Sequence, residues 1–313
     1  MNARIFYCNV NYRCNQRCLF CFSHHTSNVG LYRKDISCVD FEMALKKHQV
    51  NEDDKIVFNG GEPLLHPEIM TLLKQASSTG ARIVIFSNGT LLADMSFARE
   101  IVSLGIGRLV IPIHGFASVH DRITGGIGSY DSVVKGIHNV ISLGGSNVLE
   151  LKFILTNLLA ESNFDPLDLF ACEFPSLVAN SIMMTGQVNT QVAERNAFLL
   201  EYTPRFCKYV ERMIRYAVER CPVKIVDLDF CRFSNGFQHW LMRKRFATET
   251  HAIDFYAMDG ETKDFNTYKF ESRREQRCVA CHLRPFCMRV LEGYRALQLN
   301  KDRASIVLEA SCS

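Results

Sequence analysis

The sequence predicts an α/β fold in which six strand–helix units build a parallel sheet curled into a partial barrel, followed by a smaller extension. Three observations carry this. Short, continuously apolar runs recur through residues 1–185, as in parallel strands buried on both faces. Stretches of helical apolar spacing separate those runs. Proline or glycine punctuates the helical stretches, at Pro67, Gly80, Gly105 and Gly144.

Taken in order, residues 4–10 form the first expected strand. Ser37 and Asp40 make a capping box ahead of a helix through Phe41–Lys47. Lys55–Asn59 is the second strand. Pro67 opens a helix through Leu72 and Leu73 that Gly80 ends, and Arg82–Phe86 is the third strand. A helix over 94–104, closed by Gly105, leads to a fourth strand over 108–111. A helix over 129–143, closed by Gly144, leads to a fifth over 149–155. A short helix over 166–172 and a sixth strand over 177–184 complete the core at residue 185.

From residue 186 to 313 the pattern changes. A long amphipathic helix over 194–220, kinked at Pro204, precedes a strand over 224–228 and then Cys231. Runs over 253–258 and 262–265 flank Asp259-Gly260, a hairpin signal. A cysteine-rich segment and a helix to about residue 299 follow.

Composition narrows the class. The chain has 313 residues, 47% hydrophobic and 22% charged, the balance of a water-soluble globular protein rather than a disordered or fibrous one. No apolar run approaches the ~20 residues of a membrane span, so a membrane partner is not expected. The first residues run straight into a strand and leave no room for a signal peptide, from which a cytoplasmic location is expected. A net charge of +3 is far from a nucleic-acid footprint. Thirteen cysteines in a reducing compartment point to metal binding or catalysis rather than disulfides.

The cysteines that carry chemistry stand first at Cys14, Cys18 and Cys21, on the loop leaving the first strand. Thiolates are soft ligands that select zinc, copper(I) or an iron-sulfur cluster. A set that stops at three leaves one coordination position for a group that is not protein. Gly60-Gly61-Glu62-Pro63 follows the second strand. Two glycines permit close backbone approach, and the carboxylate can accept from an ammonium. Ser87 and Asn88 end the third strand, where barrel sites are built, and His114 stands just past the fourth.

The Cys-x-x-x-Cys-x-x-Cys spacing, with aromatic Phe20 before the last cysteine, resembles the cluster loop of the radical S-adenosylmethionine (SAM) superfamily. That resemblance implies a radical SAM core at 1–185, itself a partial (β/α)6 TIM-like barrel. It further implies a [4Fe-4S] cluster on Cys14, Cys18 and Cys21 and SAM on the fourth iron. Gly60, Gly61 and Glu62 would bind the methionine amino group, Ser87 and Asn88 the carboxylate, and His114 the ribose, with Phe20 beside the cluster. The implied reaction is reductive cleavage of SAM to a 5′-deoxyadenosyl radical that abstracts a hydrogen atom. A flavodoxin- or ferredoxin-like protein would donate the electron.

Cys278, Cys281 and Cys287 are similar to part of the SPASM and twitch extensions, which hold auxiliary [4Fe-4S] clusters in an α+β segment. Leu291 stands where the full SPASM pattern has a further cysteine, so one auxiliary cluster is expected. Its fourth ligand is Cys231, or alternatively Cys312. Relatives with this layout mature ribosomally made peptides or oxidise small molecules. The segment around His120 favours a peptide; a small-molecule substrate and a non-catalytic iron-sulfur or zinc scaffold are the alternatives. Cys8, Cys38, Cys172, Cys207 and Cys221 lack ligand spacing and are expected to be small core residues.

Overall fold

The computed structural model describes residues 4–21, 35–162, 164–165, 168–169, 172–174, 182–185, 202–219, 223–226, 228, 230–243, 246–254 and 302–308; in β6, β8 and β9 it describes backbone only. Six strands run in parallel: β1 (Ile5–Asn11), β2 (Lys55–Gly60), β3 (Arg82–Phe86), β4 (Arg108–Pro112), β5 (Leu149–Ile154) and β6 (Ile182–Thr185). This is the expected α/β barrel core. It does not stop at six strands, because β7 (Val223–Val226) pairs in parallel with β6. The strands β8 (Phe246–Asp254) and β9 (Asp302–Leu308) pair antiparallel, and they bridge β7 to β1 so that the sheet closes.

The helices are α1 (Cys38–Lys47), α2 (Ile69–Ser77), α3 (Met95–Ser103), α4 (Ala117–Thr124), α5 (Ser129–Ser142), α6 (Asn157–Ser162), α7 (Pro204–Val218) and α8 (Asn235–Arg243). Local chemistry explains their ends. Ser37 caps α1 by accepting from the Asp40 N–H at 3.0 Å, and Asp94 caps α3 by accepting from Phe97 N–H at 2.9 Å. Pro67 lies in the turn two residues ahead of α2 rather than inside it. Pro204 is the first residue of α7, with Thr203 capping it, so it starts the helix and does not kink one. Residues 194–201, and most of the helix expected at 166–172, lie outside the described residues. So do the hairpin turn at Asp259-Gly260 and the helix expected after Cys287.

Two apolar layers hold the sheet. The larger lies between its outer face and the helices, with Ile56 and Phe58 fully buried on β2 and Phe41, Leu72, Ile101 and Ile137 in the same cluster from α1, α2, α3 and α5. The smaller fills the barrel interior with Ile5, Val57, Val84 and Val110, and Tyr7 and Phe86 pack beside it. Of the cysteines expected in the core, Cys8 and Cys207 are buried, Cys38 is half-buried and Cys172 is exposed. Cys221 lies outside the described residues.

Because β1 to β4 are parallel, the residues that follow them meet at one end of the barrel. Cys14 follows β1, Glu62 follows β2, Ser87 and Asn88 follow β3, and His114 follows β4. The register of β1 on β2 shifts between Asn9 and Asn11, an irregularity of the kind by which a bulge re-aims a chain at a site.

Candidate cluster and cofactor site

The loop bearing the three cysteines is pinned on two sides by backbone. On the β2 side, Gly61 N–H donates to Asn11 O at 2.9 Å and Glu62 N–H donates to Arg13 O at 2.7 Å. A Cβ on Gly60 would stand 2.2 Å from Asn11 O, and one on Gly61 would stand 2.2 Å from Arg13 O. The close approach that demands both glycines is therefore that of the cysteine loop itself. On the other side, Arg17 N–H donates to Thr124 O at 2.8 Å and Leu19 N–H to Ile123 O at 2.9 Å, tying the loop to α4.

Within the loop, Cys14, Cys18 and Cys21 are each half-buried. Burial pushes the Cys14 thiol up, opposed by the Gln16 N–H that donates to its sulfur at 3.4 Å; the charges of Glu62 and Cys21 add to the rise. Burial also pushes Cys18 up, helped by the charges of Cys21 and Cys14. The three thiols are thus close enough to feel one another. Among the described residues, no three His, Cys, Asp or Glu side chains gather tightly enough to hold a single metal ion. Phe20 is buried against Ile123 and Ile154, and its ring meets His114 edge-on at 4.8 Å between centroids.

Glu62 is 1% exposed. One carboxylate oxygen accepts from Leu64 N–H at 3.0 Å and Ser87 Oγ–H at 2.8 Å, and the other accepts from Asn88 N–H at 2.6 Å. Burial still dominates these three donors, so its carboxyl is pushed up to about 7. An ammonium ligand would remove that penalty. Asn88 turns its side-chain amide to Asn15 Oδ1 at 2.7 Å and to the Cys14 sulfur at 3.8 Å, joining the ends of β3 and β1.

His114 is 1% exposed, and burial keeps it neutral, well below the usual imidazole range. Its Nδ1, like Asn11 Oδ1, is buried without a hydrogen-bond partner among the described residues. These two unmet polar atoms, three thiols and a buried carboxylate at one barrel mouth fit a polar, cationic cofactor held beside a thiolate-bound cluster. The desolvated thiols would lose their protons on binding such a cluster.

Cys231 is half-buried in the turn after β7. Cys278, Cys281, Cys287 and Cys312 lie outside the described residues. Asn11 and Ser129 carry no motif that announces them, and the motifs around Gln16 and His120 do not point to these two side chains: the Asn11 amide donates to Glu62 O at 2.8 Å, and Gln16, Ser129 and His120 join the loop to α4 and α5. Their side chains meet only through the fold.

Residues 8–170, more than half of the chain, match the family described as the Radical SAM superfamily. The chain belongs to that superfamily. Among radical SAM relatives, the Fe-coproporphyrin III synthase of Methanosarcina barkeri is 28% identical over 138 residues, which are 42% of this chain and 32% of that protein. The probable GTP 3′,8-cyclase of Saccharolobus islandicus is 26% identical over 159 residues, 50% of this chain and 49% of that one. The chain therefore spans half or less of the length of these relatives. Among solved radical SAM structures, anSMEcpe with bound AdoMet and the Kp18Cys peptide superposes with a TM-score of 0.61 and 14% identity, covering 92% of this chain and 90% of that one. SuiB of Streptococcus suis bound to the precursor peptide SuiA gives 0.55 and 16%, covering 78% and 52%. These likenesses agree on the barrel. Among the described residues, no helix is long and apolar enough to cross a membrane.

Proposed function

We propose that Cys14, Cys18 and Cys21 hold a [4Fe-4S] cluster whose fourth iron takes SAM, and that the protein uses this pair to abstract a hydrogen atom from a peptide. The observation that carries the reading is the joint between the cysteine loop and the Gly60-Gly61-Glu62 turn, which sets a buried, unneutralised carboxylate beside three mutually sensed thiols. Three thiols on one loop leave one coordination position for a ligand that is not protein, as a [4Fe-4S] cluster that takes SAM requires. When bound, the pair supplies one-electron reductive cleavage of SAM to methionine and a 5′-deoxyadenosyl radical.

The chain's own residues do the rest. Glu62 receives the methionine ammonium; Ser87 and Asn88, expected at the SAM carboxylate, here hold the Glu62 carboxylate in place, and Asn88 ties it to the cluster loop. His114 offers Nδ1 to the ribose, and Phe20 shields the cluster from water. Cys231 joins Cys278, Cys281 and Cys287 in an auxiliary [4Fe-4S] cluster of the 186–313 extension. A flavodoxin- or ferredoxin-like protein supplies the electron.

Support for a peptide comes from the two fold neighbours whose structures contain peptides, one of them matched over nearly its whole length. A small-molecule substrate is the second reading, favoured by the sequence relatives named as haem synthases and GTP 3′,8-cyclases. The test is anaerobic incubation of the reconstituted chain with SAM and dithionite. Release of 5′-deoxyadenosine that disappears in Cys18→Ala supports the reading; no release from protein carrying its full iron sinks it. About eight irons per chain indicate the auxiliary cluster and about four indicate its absence. Precursor peptides and small metabolites are then compared by the 5′-deoxyadenosine each elicits.

A further inference from the structure

We propose that His120, Ser129 and Gln16 form a buried relay that positions a hydrogen-bond donor against the sulfur of Cys18 and so raises the reduction potential of the cluster on the triplet. The inference rests on the reading of Cys14, Cys18 and Cys21 as cluster ligands.

The relay has a fixed direction. His114 N–H donates to His120 Nδ1 at 3.1 Å, and a backbone donor cannot be reversed. The neutral His120 ring must therefore carry its proton on Nε2. Burial, with the ring 1% exposed, holds it neutral down to about 4. Nε2 lies 3.3 Å from Ser129 Oγ, so Nε2–H donates to that hydroxyl. Ser129 Oγ in turn lies 2.7 Å from the Gln16 side-chain nitrogen, and Gln16 Oε1 accepts from the Cys18 thiol at 3.5 Å.

That last contact holds only for a protonated thiol. A sulfur bound to iron has no proton and repels a carbonyl oxygen. A half-turn of the Gln16 amide exchanges two groups of nearly the same shape and resolves the conflict. Gln16 Nε2–H then faces the Cys18 sulfur and Oε1 faces Ser129, whose hydroxyl rotates to donate to it while still accepting from His120. Each link of the relay then pairs one donor with one acceptor.

The three side chains are 4%, 7% and 1% exposed in the order Gln16, Ser129, His120, so the bond to sulfur is made away from water. A donor at a cluster sulfur stabilises the more negative, reduced cluster and raises its potential. Pinning the loop is not what the relay is needed for, because the Arg17 and Leu19 backbone bonds to α4 already do that.

The test is an anaerobic redox titration of the reconstituted full chain, following by electron paramagnetic resonance the cluster whose signal changes when SAM is added. Ser129→Ala and Gln16→Leu are each expected to lower its midpoint, while Ser129→Thr, which keeps the hydroxyl, stays near the wild-type value. Gln16→Leu, in the loop, carries the test should Ser129→Ala fail to fold. Midpoints that coincide in all four proteins at full iron content overturn the relay and leave the cluster reading standing. A wild type with no SAM-responsive cluster overturns both. Equal shifts in Ser129→Ala and Ser129→Thr show a packing effect and overturn the relay.

Discussion

Gly61→Ala probes the joint on which the site is built. Gly61 has no positive φ, so alanine meets no backbone penalty there, and any cost is the cost of space. That space is absent. The new Cβ would stand 2.2 Å from Arg13 O, 2.6 Å from Arg13 C and 2.8 Å from Tyr12 C. All three atoms are backbone, so no side-chain rotation relieves the overlap. Restoring an ordinary carbon–oxygen contact of about 3.3 Å moves residues 12–13 away by about 1 Å. The Glu62 N–H bond to Arg13 O, now 2.7 Å, cannot survive that movement. A forced core shift costs about 1–3 kcal/mol and a lost buried hydrogen bond about 1 kcal/mol more, so destabilisation of about 2–4 kcal/mol is expected.

The displaced residues directly precede Cys14, so iron uptake by the triplet and SAM binding should fall together. Denaturant unfolding, iron content and SAM binding of the same preparation measure all three. Gly236→Ala is the control: no atom lies within 4 Å of its Cβ, and near the start of α8 it should be neutral or stabilising by up to about 1 kcal/mol. A Gly61→Ala protein with wild-type midpoint, iron and SAM affinity would refute the reasoning.

Other outcomes follow from the same geometry. Burial pushes the Glu62 carboxyl up to about 7 from its ordinary 4.5, so its ionisation in the ligand-free fold is penalised. The penalty is absent below pH 4.5, grows between 4.5 and 7 and then levels at about 3 kcal/mol; ligand-free protein should accordingly melt higher at pH 6 than at pH 8, unlike Glu62→Gln. An ammonium ligand requires the ionised form, so SAM affinity should fall by up to about tenfold per pH unit below 7, measured by calorimetry with proton release. Asn88→Ala removes the side-chain bonds to Asn15 and Thr90 but leaves the backbone donor to Glu62, so it should cost about 1–2 kcal/mol and make the cluster more oxygen-labile, checked by the decay of its visible absorbance. Phe20→Ala opens a cavity against Ile123, Ile154 and His114 and should cost about 3 kcal/mol in thermal or denaturant unfolding.

The strands and most helix ends were legible because each is written locally. Ile83–Phe86 is an uninterrupted apolar run, and Gly80, Gly105 and Gly144 adopt the left-handed conformation that ends a helix. Helix α4 was not legible, because its buried face is His120, Ile123 and Thr124, which makes no apolar stripe. Pro204 reads along the chain as a kink, yet Thr203, whose hydroxyl accepts from Phe206 N–H at 3.1 Å, marks a helix start there. The cysteine triplet and Gly60-Gly61-Glu62 are contiguous motifs and could be found in one dimension. The Gln16–Ser129 bond spans 113 positions, and only the barrel brings its ends together.

The glycine pair shows how motif and mechanism come apart. Read along the chain, Gly60-Gly61 suggests room for a ligand's approach; in space the room is taken by Asn11, Tyr12 and Arg13. Their spacing fixes where Cys14 begins relative to where Glu62 ends, because one pair of backbone bonds carries both. A ligand that bridges the cluster and the carboxylate therefore meets two partners whose separation is set by a shared turn rather than by two independent loops. Loosening that turn cannot weaken one contact and spare the other, which is why iron uptake and SAM affinity should fail in step rather than in sequence.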